Sequence, residues 1–447
     1  MNISPELKDI LDKIISMGGH PYLVGGCVRD YVLGLECHDY DIEVYHMNEE
    51  CLCEALGCFG FVSQVGKSFA VYKIAHLNDY DFALPRTERK TGHTHKEFSI
   101  EIDPDMTLLQ AIQRRDLTMN ALMYDYQNDK IIDLCDGIND IQNKIIRCVN
   151  KETFIEDPLR VLRIAQFISR FDMTCEKETK RLCQDMVKQG MLDYLSIERI
   201  YEEYCKILMS LKPSLGFEFL KDIQALPSYI NDLIHTHQRK DYHSEGNVFN
   251  HTMLVLDVGA LIKHKTSNPL GFMWACLLHD IGKAKVTTPD LKSPYHASVG
   301  AKMFNEINMI KSHSLRQYIR ILIEYHMTLM NIARHKKGRY AYYKVLKGID
   351  GIVPLYDLYY ISCADKLGRG SVYIDEYNES LAYIDQLIKD YGTQALTPVV
   401  GGKDLIELGF EEKNKYKEML DMAYDLQLLG HNKEEIYRRL KKEYDKR

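Results

Sequence analysis

YLVGGCVRDYVLGLECHDYDIEVY, Tyr22 to Tyr45, decides the fold. Tyr22-Leu23-Val24 is an apolar run with the character of a buried strand. Gly25-Gly26 follows as a tight turn, Cys27 to Leu33 carries helical spacing, and Gly34 can end that helix. Asp39-Tyr40-Asp41 then opens a second strand. Residues i and i+2 of a strand point the same way, so Asp39 and Asp41 present two carboxylates to one side. Like charges held so close are costly unless a cation lies between them. Mg2+ suits that place, because it takes one or two carboxylates together with substrate phosphates. The Gly-Gly turn offers backbone N–H groups at a helix start, which suits a phosphate chain, and Arg29 adds positive charge one turn later. A bare D-x-D is a common surface pair. Strand, Gly-Gly, Arg and D-x-D in this order form a far more specific signal.

The whole chain sets bounds on what surrounds this stretch. Its 447 residues imply two to four domains, and 45% hydrophobic residues suffice for ordinary cores. The net charge of −7 does not announce a nucleic-acid binder, so any RNA surface must be a local basic patch. Twelve cysteines are scattered without a C-x-x-C pair. With no signal peptide and no apolar run of membrane-spanning length, they point to reduced thiols in a cytoplasmic protein.

The order of residues from Tyr22 to Tyr45 resembles the nucleotidyltransferase superfamily that includes DNA polymerase beta. Within it, the match is to the class II branch of CCA-adding tRNA nucleotidyltransferases and bacterial poly(A) polymerases. Further segments carry the resemblance over essentially the whole chain. Residues 4–18 read as an amphipathic helix, and Val65–Ile74 and Asp79–Leu84 as two more strands of one sheet. Asp81 starts an alternation there; it is either a solvated strand-end residue or, as the family implies, a third carboxylate beside Asp39 and Asp41. PRTERKTG, from Pro85, leads into an expected loop to about Thr107, like the family's flexible loop. RRDLTMNALMYD, Arg114 to Asp125, matches the family's R-R-D-[FL]-T-[IM]-N-A-L motif. The resemblance gives Arg115 to the triphosphate, Asp116 to orienting its neighbours, and Asn120 to the ribose or the site's geometry. With Gly25, Gly26 and Arg29, these are the nucleotide-binding candidates of the first domain. IIDLCDGINDI, Ile131 to Ile141, resembles the family's neck motif, with Leu134 where Pro is usual.

EDPLRVLRIAQFISRF, Glu156 to Phe171, begins as a helix does, with an acid before Pro158. Asp157, Arg160 and Arg163 follow at spacings that share one face. By itself that is a surface ion-pair ladder as readily as a site. Base chemistry offers more. C and A show an amine donor beside a ring-nitrogen acceptor, whereas U and G show a carbonyl beside an N–H. A carboxylate accepts from the amine and a guanidinium donates to the ring nitrogen, so one Asp–Arg pair takes C and A and refuses U and G. The family's E-D-x-x-R motif is such an amino-acid template for CTP and ATP. It carries over to Glu156, Asp157 and Arg160, with Arg163 in support; Gln166 stands where many relatives have a further Arg. SIERIYEE, Ser196 to Glu203, resembles a motif that braces this helix, through Glu198 and Arg199.

From Val248 onward, apolar helical patterns carry His251, His279-Asp280, His296, His326 and Asp365. A lone His there is usually a core residue. His-Asp followed by Ile281-Gly282-Lys283, with His upstream and Asp downstream, resembles the HD phosphohydrolase superfamily. The resemblance implies that His251, His279, Asp280 and Asp365 hold one divalent metal for attack on phosphorus. His296 and His326 could add ligands for a second. One metal is the favoured reading, because Tyr325-His326-Met327 lacks the paired His of two-metal families. Nitrogen and oxygen ligands suit Ni2+, Mn2+, Zn2+ or Co2+. Lys283 can hold a phosphate. In TPVVGGKDLIELGF and the helical tail to Arg447, Lys403 and the terminal KKEYDKR could touch phosphates or simply face solvent.

The expected fold is α+β: a small N-terminal nucleotidyltransferase mixed sheet with helices, an all-α neck and body, a helical HD domain and a helical tail. The expected boundaries are 1–138 for the catalytic head and 139–240 for the base-reading and RNA-binding neck. The HD domain takes 241–372 and a tRNA-binding tail 373–447. The expected activity is template-independent addition of CCA to tRNA, with Mg2+ at Asp39 and Asp41, Asp81 as the candidate third carboxylate, and no membrane partner. A metal-dependent phosphohydrolase of 2′,3′-cyclic phosphates, 2′-nucleotides and phosphate esters accompanies it. A poly(A) polymerase would share the D-x-D and E-D-x-x-R, but the basic Gly-Arg-Arg/Lys-Phe element of many such enzymes is not seen. A specialist adding only CC or only A would share every motif. An HD phosphohydrolase with a vestigial transferase is opposed by the intact Asp39, Asp41 and Asp157, and a non-catalytic RNA binder needs neither carboxylate set.

Overall fold

The buried run His20–Val24 becomes β1, the middle of a sheet. Leu23 is fully buried and Val24 nearly so, as a strand covered on both faces requires. The computed structural model describes residues 1, 3–65, 71–90, 98–239, 245–369 and 374–445. These form two compact units, one of Met1–Ile207 with Leu215–Ala225, the other of Leu208–Ser214 with Leu226–Arg447.

In the first unit, α1 (Pro5–Ser16) is capped by the Ser4 hydroxyl, which accepts from the Leu7 N–H at 3.1 Å. It buries Leu7, Ile10, Leu11 and Ile14, its apolar stripe. After β1, the Gly25 turn feeds α2 (Gly26–Val32), and β2 (Tyr40–Tyr45) returns antiparallel to β1. Then come α3 (Glu49–Gly57), β3 (Val62–Val65), β4 (Val71–Ile74) and β5 (Leu77–Ala83). The strands β8 (Met123–Asp125) and β9 (Lys130–Ile132) complete a seven-stranded mixed sheet in the order β3-β4-β5-β2-β1-β8-β9. Within this sheet only β2 and β5 pair in parallel, and their register sets Asp41 opposite Asp81. Tyr22, Val24, Tyr45, Ile112 and Met123 fill the core beneath the β1 side of the sheet.

Two features depart from the sequence reading. The segment read as a loop from Pro85 contains a two-stranded antiparallel ribbon, β6 (Arg86–Lys90) with β7 (Phe98–Ile102). A ribbon outside the main sheet needs no apolar face, so the charged residues of PRTERKTG concealed it; residues 91–97 lie outside the described part. Of the strand expected over Val65–Ile74, Val71–Ile74 is β4 and residues 66–70 lie outside the described part, while Val62–Val65 belongs to a strand that begins earlier than expected. Helix α4 (Leu108–Gln113) opens with a capping box between Thr107 and Gln110. The helices α5 (Gly137–Gln142), α6 (Lys151–Phe154) and α7 (Leu159–Phe171) follow the sheet.

The second unit is helical. Its helix Pro269–Leu278 is buried from Gly271 to Leu278, with Trp274 1% exposed, so it is a central helix without a solvent face. It packs against helices Val248–Ile262 and His313–Tyr325. Near the C-terminus, Val400, Leu405, Phe410, Met419, Leu426, Ile436 and Leu440 form a separate small core. No helix among the described residues is long and apolar enough to cross a membrane, and all twelve cysteines are free.

Candidate active sites

The first site gathers on the β1–β2–β5 end of the sheet. Gly25 has φ +70°, a region side chains rarely adopt, and a Cβ there would lie 3.2 Å from Arg115 Nη1 and 3.9 Å from Asp41 Oδ2. Arg115 therefore lies across the glycine turn, next to the carboxylates. Asp41 is in register with Asp81, and Asp39 precedes β2 by one residue, exposed. Desolvation raises the Asp41 pKa; Arg115 opposes it, while the Asp81, Glu43 and Asp39 carboxylates push it further up. Burial leads and three neighbouring carboxylates add to it; such a cluster of acids fits a seat for a divalent cation. Asp81 is part of this field, but it also pairs with Lys73 at 2.6 Å.

Glu43, which the motif reading passed over, anchors the arginines. It is 6% exposed and accepts from Arg114 Nη2 at 2.9 Å and Arg115 Nη2 at 2.6 Å. Burial alone would raise its pKa; Arg115 and Arg114 outweigh that and hold it low. Its signal was present, since Glu43 extends D-x-D to D-x-D-x-E on one strand face.

Arg29 has a different place from the one its position in α2 suggests. It is buried, donates to Asp30 Oδ1 and to Asn120 Oδ1, both at 2.7 Å, and lies over the Phe167 and Phe171 rings. Asn120 in turn donates to Asp116 Oδ1 at 3.0 Å, and Asp116 Oδ2 accepts from Arg163 Nε at 2.7 Å. Burial pushes the Asp116 carboxyl up, but Arg163 and Asn120 overcome this and lower it. A continuous polar chain thus links α2, the R-R-D motif and α7 behind the glycine turn.

On the α7 side, Asp157 Oδ1 accepts from the Leu159 N–H at 3.1 Å. Arg199, in helix Ile197–Met209, donates through Nη2 to both Asp157 oxygens at 2.9 and 3.2 Å. The Arg160 main-chain N–H donates to the Asp157 carbonyl at 3.1 Å, and its guanidinium donates to the carbonyls of Thr153 at 2.9 Å and Arg114 at 2.8 Å. Asp157 and Arg160 are both part-buried at the start of α7, so each keeps a solvent-facing edge.

The second unit holds the second site. His279, His296 and His326 each place Nδ1 against a main-chain carbonyl, of Cys276, Ser293 and Ile323, at 2.8, 2.8 and 2.7 Å. A carbonyl only accepts, so each Nδ1 carries the proton and each Nε2 turns a lone pair inward. Those lone pairs converge on Asp280: His279 Nε2 at 3.2 Å, His296 Nε2 at 3.3 Å and His326 Nε2 at 3.8 Å. His279 Nε2, His296 Nε2 and Asp280 Oδ1 are buried without a hydrogen bond, while Asp280 Oδ2 pairs with Lys283 Nζ at 2.6 Å. Lone pairs facing a carboxylate in a dry site call for a cation, and the donor set fits a divalent metal. Two triads share Asp280: His251, His279 and Asp280, and Asp280, His296 and His326. The transferase carboxylates are not among such clusters.

Burial pushes His326 down to about 3, so its ring is neutral. Asp280 is held well below the usual carboxylate range: burial opposes this, and Lys283 Nζ at 2.6 Å leads the groups that overcome it. Asp365 belongs to neither triad. It lies against His251 Nε2 at 2.9 Å and is clamped by Arg369 Nη2 at 3.1 Å. On the other side of that ring, Nδ1 meets Glu245 at 2.9 Å. Glu245 and Arg369 carry no motif signal; only folding brings them here.

Known families match most of the chain. The Poly A polymerase head domain family covers residues 21–147, and the HD domain family residues 248–367. The family described as a probable RNA- and SrmB-binding site of polymerase A covers 172–231. These define a nucleotidyltransferase joined to an HD domain. The multifunctional CCA protein of Aromatoleum aromaticum is 38% identical over 286 residues, 63% of this chain and 67% of that protein. That of Neisseria gonorrhoeae is 38% identical over 296 residues, 64% and 68%. The chain belongs to the family of the multifunctional CCA proteins. The fold is shared with the Bacillus stearothermophilus CCA-adding enzyme in complex with CTP, at TM-score 0.67 and 19% identity over 99% of both chains. It is also shared with the Thermotoga maritima CCA-adding enzyme complexed with tRNA-CCA, at TM-score 0.62 and 19% identity over 98% of this chain and 95% of that one.

Proposed function

We propose that this chain adds C, C and A in turn to the 3′ end of tRNA from CTP and ATP, and that its second unit hydrolyses phosphate esters. The observation that carries the first part is Asp41, in register with Asp81, meeting Arg115 across the Gly25 turn. Two Mg2+ ions held by Asp39, Asp41 and Asp81 would supply charge stabilisation for the attacking 3′-oxygen and the leaving pyrophosphate. Arg115 and the backbone N–H groups at Gly25-Gly26 receive the triphosphate. Arg29 and Asn120 act from behind, fixing the turn through the chain to Asp116.

Asp157 accepts from the exocyclic amine of C or A, and Arg160 donates to the ring nitrogen. Arg199 keeps Asp157 oriented. Arg160 exchanges a main-chain carbonyl for the base, an even trade of one acceptor for another. Residues 1–138 serve as the head and 139–240 as the neck; 373–447 meet the tRNA. The twelve free cysteines support a reducing, cytoplasmic setting.

In the 241–372 domain, the two triads sharing Asp280 support seats for two ions of Ni2+, Mn2+, Zn2+ or Co2+, rather than the single one favoured from sequence. Such ions supply Lewis-acid activation of water and of the phosphoester. Asp365 orients His251, and Lys283 brings positive charge beside Asp280.

The test uses tRNA transcripts ending at the discriminator, in C and in CC, each with Mg2+ and a single nucleotide. CTP alone should extend the first two, ATP alone only the third, and UTP or GTP none. Extension of every end by ATP into long tails would replace this reading with a poly(A) polymerase. Release of phosphate from a 2′-nucleotide under Ni2+ or Mn2+ tests the second site.

A further inference from the structure

Tyr295 is 83% exposed, more than any other large apolar side chain among the described residues. It also has φ +56° and ψ 17°, the left-handed conformation that a bulky residue adopts only at a cost. The following residue is His296, whose Nε2 faces Asp280. The surrounding structure enforces this arrangement. A Cβ at Gly282, three residues after His279, would lie 2.0 Å from the His296 carbonyl and 2.5 Å from the Gly300 N. The HD turn is thus pressed against the start of helix His296–Glu306, which fixes the backbone of Tyr295 one residue before the ligand candidate His296.

The loop before it is satisfied from within. Thr288 N donates to the Lys292 carbonyl and Leu291 N to the Thr288 carbonyl, both at 2.8 Å, and the Thr287 and Ser293 hydroxyls bond at 2.8 Å. Nothing in that loop requires an aromatic residue at its end. A glycine or asparagine would take the same backbone conformation more cheaply. A strained, solvent-exposed ring next to a metal-ligand candidate is therefore maintained for something outside the chain.

We propose that Tyr295 is a stacking platform for the base of a nucleotide whose phosphate sits at the Asp280 cluster. It makes the second site selective for nucleotides and RNA ends over phosphate esters that lack a base. Base-on-aromatic stacking tolerates any base, as suits a site that meets varied ends. This rests on the phosphohydrolase reading above, and Tyr295 is a specificity residue, with no part in the bond-breaking step.

The test compares uridine 2′-monophosphate with glycerol 2-phosphate, since the Asp157–Arg160 pair refuses uracil and leaves the transferase site silent. In Tyr295→Ala, the KM for the uridine nucleotide should rise about tenfold, equivalent to about 1.4 kcal/mol, while that for glycerol 2-phosphate stays unchanged. Tyr295→Phe should behave as wild type. Tyr295→Asn should lose the same preference yet melt at a higher temperature, because the strain is relieved. Calorimetric binding of the uridine nucleotide to metal-stripped protein gives a second readout, expected to weaken by the same factor in Tyr295→Ala. An unchanged preference in Tyr295→Ala, or its loss in Tyr295→Phe, would overturn the proposal. If wild type hydrolyses neither compound, the phosphohydrolase reading fails, and the binding comparison still decides Tyr295.

Discussion

Replacing Gly25 with alanine should separate a backbone effect from a site effect. Gly25 has φ +70° and ψ −123°, and Gly34 has φ +71°. Both conformations disfavour a side chain, at about 1–3 kcal/mol for such outliers. Their surroundings differ. A Cβ at Gly34 meets nothing within 4 Å, whereas at Gly25 it meets Arg115 Nη1 at 3.2 Å. That contact is tight enough to displace the guanidinium by a few tenths of an ångström. Arg115 is tied to Glu43 at 2.6 Å, so the displacement pulls on a buried ion pair. Both variants should lose about 1–3 kcal/mol in urea unfolding. Misplacing a group by 1 Å costs about a hundredfold in rate, so Gly25→Ala should slow single-turnover CTP addition by about tenfold or more. Gly34→Ala should add CTP as wild type does. Equal addition rates in the two variants, at equal stability loss, would refute the role given to Arg115.

Three further outcomes follow from the same geometry. Asp41→Asn should abolish addition while leaving the melting temperature unchanged or raised in Mg2+-free buffer. The folded Asp41 carboxyl titrates above its ordinary value, so its ionised form opposes folding at neutral pH and removing the charge relieves that. Asp116 has the opposite sign. Its carboxyl is lowered on folding, so its contribution is complete above the unfolded value of about 3.9 and disappears as pH falls through the folded one. Thermal melts of wild type and Asp116→Asn between pH 6 and 3 should therefore converge at the acid end. Adding Ni2+ or Mn2+ to metal-stripped protein should raise the unfolding temperature of the second unit by a few degrees. His279→Ala should remove that shift.

Local chemistry was legible in the sequence. The Gly-Gly turn and the D-x-D sit within one stretch, so their spacing already implies a shared site. Asp81 was reachable as well, because one alternating strand beside another leaves few registers. Asp280 and its histidines could be read as a set because His-Asp marks the turn between buried helices. The burial of Arg29 was not legible, for a physical reason. Its position in α2 points toward the phosphates, but Phe167 and Phe171 from α7 enclose it, and that packing is nowhere visible in α2. Arg199 on Asp157, Arg114 on Glu43 and Arg369 on Asp365 were equally out of reach as pairings, although Arg369 lies one helical turn from its partner. The ribbon of β6 and β7 was hidden because a charged strand with no core to cover has no apolar rhythm.

The most direct test of the central claim is the 3′-end sequence left on a tRNA lacking CCA after incubation with this protein, Mg2+ and all four nucleoside triphosphates. Ends that finish in CCA and extend no further are expected if the proposed Asp157–Arg160 edge serves both bases and refuses U and G. Ends carrying U or G, or long tracts of A, would contradict it.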